Sequence, residues 1–156
     1  MSFYEDVQAI RERYPEGSRS AVLPALRIAQ ERHDGWLPPE AFVEVADALE
    51  LTPAYCQAVA SFYDMYHLAP TGRHLIEVCT NLSCALARAQ DVVVAFESEL
   101  GIRVGETTED GEITFRVVEC LGGCGYAPVV AVDHRYRHPV RPEDVPAIVE
   151  ELRASA

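Results

Sequence analysis

Positive charge is scarce in this chain of 156 residues: 13 Lys and Arg stand against 25 Asp and Glu, for a formal charge of −12. A phosphate backbone or an anionic lipid surface is bound through excess cations, so neither nucleic acid nor direct membrane contact is expected. Long hydrophobic runs are missing too. Stretches such as Ala89 to Phe96 contain charge or are far too short to cross a bilayer. The amino terminus, MSFYEDVQAIRERYPEG, carries acids early and lacks the apolar segment of an export or organelle signal. A cytoplasmic location follows as the expectation. There is no C-x-x-C, which removes the common dithiol redox motif, and no Cys-x-His pair, which removes a Rieske-type centre. No G-x-G-x-x-G opens a helix, because Gly123-Cys-Gly125 runs into Tyr-Ala-Pro, and no Walker loop occurs, so a nucleotide site is not expected here. A catalytic set is lacking as well. Ser61 and Ser83 have no evident base, and the five histidines are scattered over His33, His67, His74, His134 and His138.

What is present is a chain about half apolar, long enough to bury roughly 70% of its unfolded surface without crosslinks. Residues 1–70 read as a small helical bundle. Phe3, Val7, Ile10 and Tyr14 repeat at helical spacing until Pro15 and Gly17; Val22, Leu26 and Ala29 follow from about Ser20; Phe42, Val45 and Leu49 follow Pro38-Pro39. Thr52-Pro53 then supplies a cap and first-turn proline for a fourth helix with the stripe Tyr55, Val59, Phe62, Tyr66. After Pro70-Thr-Gly72 the pattern changes. His74 to Cys79 is a strand, Cys84 to Leu100 a helix closed by Gly101, Asp110-Gly111 a hairpin turn, and Ile113 to Val118 a strand. Cys120 to Ala127 is a glycine-rich loop, Pro128 to Val132 a third strand, and Arg141 to Leu152 the closing helix. The expected architecture is therefore α+β: the helical bundle, then an α/β sandwich of thioredoxin-like type over residues 73–156.

Five cysteines make an odd number, unsuited to a closed disulfide framework, and a reducing compartment turns attention to metal or redox chemistry. Cys79 and Cys84 are spaced C-x4-C, Cys120 and Cys124 are spaced C-x3-C, and 35 residues separate the pairs. A [2Fe-2S] centre takes two thiolates on each iron, so each pair can serve one iron if both loops leave the same end of the sheet. The glycines of Cys120-Leu-Gly-Gly-Cys124-Gly allow main-chain N–H groups to approach sulfur, and Cys84 stands at the amino end of a helix, where negative charge is favoured. From spacing alone, a four-cysteine zinc site in an interaction module stands beside the cluster, although zinc favours the shorter C-x2-C. A thiol redox enzyme is a third reading. Cys56 reads as a small buried hydrophobe. Trp36 and the segment Phe62-Tyr-Asp-Met-Tyr66 read as core, and Glu143 to Glu151 as a solvated helix face. Pro128 is a candidate for a cis bond.

Cys79-Thr-Asn-Leu-Ser-Cys84 and Cys120-Leu-Gly-Gly-Cys124-Gly-Tyr-Ala-Pro-Val resemble the two cluster loops of the thioredoxin-like [2Fe-2S] ferredoxin subunit of NADH:quinone oxidoreductase, respiratory complex I. Ser20-Ala-Val-Leu-Pro-Ala-Leu, Gly35-Trp36-Leu, Val59-Ala-Ser-Phe62-Tyr63 and Asp133-His-Arg-Tyr136 extend the resemblance over essentially the whole chain. His134 departs from it, standing where relatives often carry a short polar turn residue, in what reads as a hairpin. The resemblance implies that Cys79, Cys84, Cys120 and Cys124 bind one [2Fe-2S] cluster. It also implies docking against a flavoprotein that carries FMN and the NADH site, among the other components of the peripheral arm, on the inner face of the cell membrane. Related proteins serve soluble NAD-linked hydrogenases and formate dehydrogenases, so the resemblance leaves the assembly open.

Overall fold

The computed structural model describes residues 2–14 and 18–155; the stop expected at Pro15 and Gly17 lies outside the described residues. The chain divides into two compact units, Met1–Pro70 and Thr71–Ala156. In the first, helix α1 (Phe3–Arg11) begins at a reciprocal cap: the Ser2 hydroxyl accepts from the Glu5 N–H, and the Glu5 carboxylate accepts from the Ser2 N–H. Helices α2 (Val22–Arg32), α3 (Pro39–Leu49) and α4 (Pro53–Phe62) follow, the last capped by the Thr52 hydroxyl. Val7, Val22, Leu26, Ala29, Phe42, Val45 and Leu49 are buried in one core, with Phe3 and Ile10 packed against it. Tyr14 lies past the end of α1 and is exposed.

Helix α4 departs from its expected stripe. It buries Cys56 and Ala60, four residues apart on one face, while Tyr55 is exposed and Phe62 is 79% exposed. Small side chains let the helix lie close against α2 and α3, which a face of aromatics would hold off. Tyr66 reaches the core from beyond the helix end, its hydroxyl donating to the Leu23 carbonyl at 2.7 Å. Of the segment read as core, then, Tyr66 is buried and Phe62, Tyr63 and Met65 are exposed, with Trp36 half-buried. Cys56 is fully buried, as its apolar neighbours imply.

The second unit holds a four-stranded sheet of β1 (His74–Cys79), β2 (Ile113–Val118), β3 (Val130–Val132) and β4 (Arg135–Arg137) in the order β2-β1-β3-β4. Strands β1 and β2 run parallel, with Cys79 opposite Val118, and β3 is antiparallel to β1. Ile76, Val78, Ile113, Phe115, Val130 and Val132 face helices α6 (Ala89–Leu100) and α7 (Val145–Ala154) across a core completed by Val92, Val93, Phe96, Val145, Ile148 and Leu152. The acids of α7 are exposed, as expected. Thr107 and Thr114 form an antiparallel bridge around a turn in which Gly111 takes φ 75°, so Asp110-Gly111 does reverse the chain.

Two expectations are corrected. Cys84 to Leu100 is not one helix but α5 (Leu82–Leu86) and α6, broken where Arg88 adopts φ 69°. On an unbroken helix Cys84 would lie about 180° round from Val93. The break lets α6 cover the sheet while α5 turns Cys84 toward Val129 and Cys79. The sheet also has a fourth strand. Arg-Tyr-Arg carries no alternating apolar pattern, so β4 is invisible to periodicity; it is set by the two-residue turn Asp133-His134, with φ of 48° and 62°, the mirror-image turn that suits the twist of paired strands. His134 thus sits in a hairpin. Ala127-Pro128 is cis, as is His138-Pro139.

Candidate metal centre

Strands β1 and β2 are parallel neighbours, so the loops that follow them leave the same end of the sheet. Cys79 is the last residue of β1, and Cys120 lies two residues past the end of β2. The lead-in to antiparallel β3 starts at that end too, and the Cys79 N–H donates to the Val129 carbonyl at 3.1 Å. Three chain segments therefore converge there. The Cys79 thiol approaches the Glu119 carbonyl at 3.8 Å, joining the end of β1 to the residue before Cys120.

Cys84 is the third residue of α5, whose first turn is capped by the Asn81 side chain accepting from the Leu82 N–H at 2.7 Å. Cys79 and Cys84 are buried in a small apolar cluster with Ala89 and Val129, flanked by Leu121 and Ala127. Burial pushes the Cys84 thiol above its ordinary pKa. The Val129 N–H, donating to its sulfur, opposes that, and the neighbouring sulfurs of Cys79 and Cys124 add to it. Cys84 is thus within electrostatic reach of the sulfurs of Cys79 and Cys124. Cys120 is exposed, as is Cys124, and its sulfur accepts from the Gly122 N–H at 3.3 Å. Among the described residues no three His, Cys, Asp or Glu side chains gather around a single point.

The two cysteine loops carry no cations. No Lys or Arg occurs in residues 79–84 or 120–124. Glu77, buried on β1 two residues before Cys79, is neutralised by Arg116 on β2, with Nε to Oε1 at 2.9 Å. Two positions escape sequence reasoning. The main-chain N–H of Val129 serves a sulfur, which no side-chain pattern can announce. The Tyr136 hydroxyl donates to the Leu121 carbonyl at 2.5 Å, from a strand that periodicity does not reveal.

The sequence pattern of the family described as thioredoxin-like [2Fe-2S] ferredoxin matches residues 7–153. The chain belongs to this family. Among relatives of the ferredoxin, one from Rickettsia bellii, named as a component of NADH-quinone oxidoreductase, is 40% identical over 153 residues, covering 98% of this chain and 90% of its own. One from Thermus thermophilus, named NADH-quinone oxidoreductase subunit 2, is 41% identical over 160 residues, covering 99% and 88%. The fold is shared with a crystal structure of NAD+-reducing [NiFe]-hydrogenase in the air-oxidized state, at a TM-score of 0.73 and 22% identity, over 83% of this chain and 23% of that one.

The ferredoxin's cofactor is a [2Fe-2S] cluster, and the residues at the sheet end fit such a group. Four thiols, none in a disulfide, are brought to one end of the sheet on two loops. Backbone N–H groups already point at two of the sulfurs. At Gly123 a Cβ would meet Val129 Cγ2 at 2.9 Å, so the loop lies flush where a side chain would lift it.

Proposed function

We propose that this chain is the electron-transfer subunit of an NADH:quinone oxidoreductase, with Cys79, Cys84, Cys120 and Cys124 as the ligands of its [2Fe-2S] cluster and residues 73–156 as the cluster-binding domain. When bound, the cluster supplies a one-electron acceptor and donor. The chain's own part is to hold that group. Cys79 and Cys84 approach from a buried side, and Cys120 and Cys124 from an exposed loop. The N–H groups of Gly122 and Val129 donate to sulfur. The burial of Cys79 and Cys84 keeps water from one side of the site while the opposite side stays open to a partner. FMN and NADH belong to a flavoprotein docked beside it, and the chain contributes no substrate site of its own. No helix among the described residues is long and apolar enough to cross a membrane; attachment to the inner face of the cell membrane is through the complex.

The observation that carries this reading is the pairing of cysteine loops at one end of parallel β1 and β2, in a chain about 40% identical over nearly its whole length to components of that oxidoreductase. Protein purified without oxygen is expected to be red-brown, with about two irons and two sulfides per chain and an EPR signal on reduction. Each of Cys79→Ser, Cys84→Ser, Cys120→Ser and Cys124→Ser should change that signal or lower the iron content, and Cys56→Ser should do neither. A colourless protein with one zinc, or four variants indistinguishable from wild type, overturns the ligand assignment. Affinity purification from native cells should bring down a flavin-containing NADH-oxidising protein with membrane components; a hydrogenase or formate dehydrogenase large subunit in their place reassigns the complex.

A further inference from the structure

The peptide joining Leu121 to Gly122 has both its polar ends engaged. Its carbonyl accepts from the Tyr136 phenol at 2.5 Å, and its N–H donates to the Cys120 sulfur at 3.3 Å. The unit is trans. A trans peptide is planar, with C=O and N–H pointing in opposite directions, so a donor that fixes the carbonyl on one side aims the N–H on the other. Gly122 takes φ 75°, the left-handed conformation in which the chain leaves this peptide on its way to Cys124. Tyr136 is the middle residue of β4, paired across the hairpin with Ala131. The clamp therefore comes from the sheet and not from the loop it holds.

We propose that Tyr136 is a positioning residue for the cluster: its phenol holds the Leu121-Gly122 peptide so that the Gly122 N–H is directed at the Cys120 sulfur. This rests on Cys120 being a ligand. A hydrogen bond to a ligating sulfur favours the more negative, reduced state. A donor on the carbonyl also polarises the N–H of the same peptide and strengthens its bond to sulfur. Tyr136 acts through the peptide and touches no sulfur, and half of its surface is open to solvent, so removing the hydroxyl leaves no buried hole.

The test is Tyr136→Phe in the full chain carrying its cluster. Iron and sulfide content should match wild type. The reduced-to-oxidised ratio at a fixed poise should fall by up to about tenfold, which is 59 mV for one electron. The EPR spectrum of the reduced protein should shift, and the Gly122 amide should exchange faster with deuterium. Unchanged potential, spectrum and exchange overturn the proposal. Cys120→Ser, measured in parallel, keeps the two questions apart: a changed spectrum there with an unchanged Tyr136→Phe removes only the role of Tyr136, whereas an unchanged Cys120→Ser removes the ligand assignment beneath it. Where Tyr136→Phe does not accumulate, Tyr136→fluorotyrosine supplies the opposite perturbation. The more acidic phenol is a stronger donor and should raise the potential; no rise overturns the proposal.

Discussion

Gly122 and Gly123 are adjacent and hold the cysteine loop in different ways. Gly122 needs its freedom of backbone angle: it sits at φ 75° with open space where a Cβ would be. Gly123 needs its lack of volume, because a Cβ there would meet Val129 Cγ2 at 2.9 Å, and Val129 is fully buried with nowhere to retreat. The two alanine variants should therefore fail differently. Gly123→Ala must lift the loop or push Val129 into the core, at an overpacking cost of about 1–3 kcal/mol. Because Val129 also donates its N–H to Cys84, the displacement reaches the sulfurs. Purified Gly123→Ala should hold well under half the iron of wild type, measured per folded chain. Gly122→Ala costs about 1–2 kcal/mol in backbone strain and should keep its iron while altering the EPR spectrum, since no clash lifts the loop and the strain falls on the residue whose N–H is aimed at Cys120. Equal iron content and identical spectra in both variants would show that the loop yields without cost.

Between α4 and α2 the decisive tie is Tyr66, whose hydroxyl donates to the Leu23 carbonyl at 2.7 Å. Burial is the main reason its pKa is pushed up to about 12, with Tyr63 adding to the rise and Arg27 opposing it. An unfolded tyrosine ionises near pH 10, so the folded state resists losing a proton that the unfolded state gives up. The resulting stability is fully present below pH 10 and is lost as pH rises toward about 12. Tyr66→Phe should be less stable at neutral pH by about 1 kcal/mol and should lose less stability than wild type across that alkaline window, followed by helical circular dichroism. This tie also marks where the sequence stops being readable. Helical spacing locates α1 to α3 and their buried faces, because large apolar residues there turn inward. In α4 spacing selects Tyr55 and Phe62, whereas packing selects Cys56 and Ala60, since close approach of helices rewards small residues over large apolar ones. Strands β1 and β2 and the four cysteines are legible from alternation and spacing. The break at Arg88 and the strand β4 are not, because the first answers to where Cys84 must face and the second to a two-residue turn.

The charge of the whole chain acts on the cluster from a distance. An oxidised four-thiolate cluster carries about −2, and reduction adds one electron to a chain already at −12. Both cysteine loops lack Lys and Arg, Glu119 precedes Cys120, and Arg116 is spent on Glu77. Against this stand the short-range donors, the N–H groups of Gly122 and Val129 and the first turn of α5. The two contributions differ in reach, so salt separates them. Carboxylates spread over the surface are felt through solvent, where the screening length falls from about 30 Å at 0.01 M to about 3 Å at 1 M salt, while an N–H against sulfur is not screened at all. The reduction potential of the isolated chain should be low and should rise steadily with ionic strength, by an amount that Tyr136→Phe leaves unchanged even as it lowers the whole curve. A clearly positive potential, or one indifferent to salt, would mean that the hydrogen bonds alone govern the cluster. If the proposed flavoprotein covers the open side in the assembled complex, it excludes salt from the site, and the same titration should then give a shallower slope than the free chain.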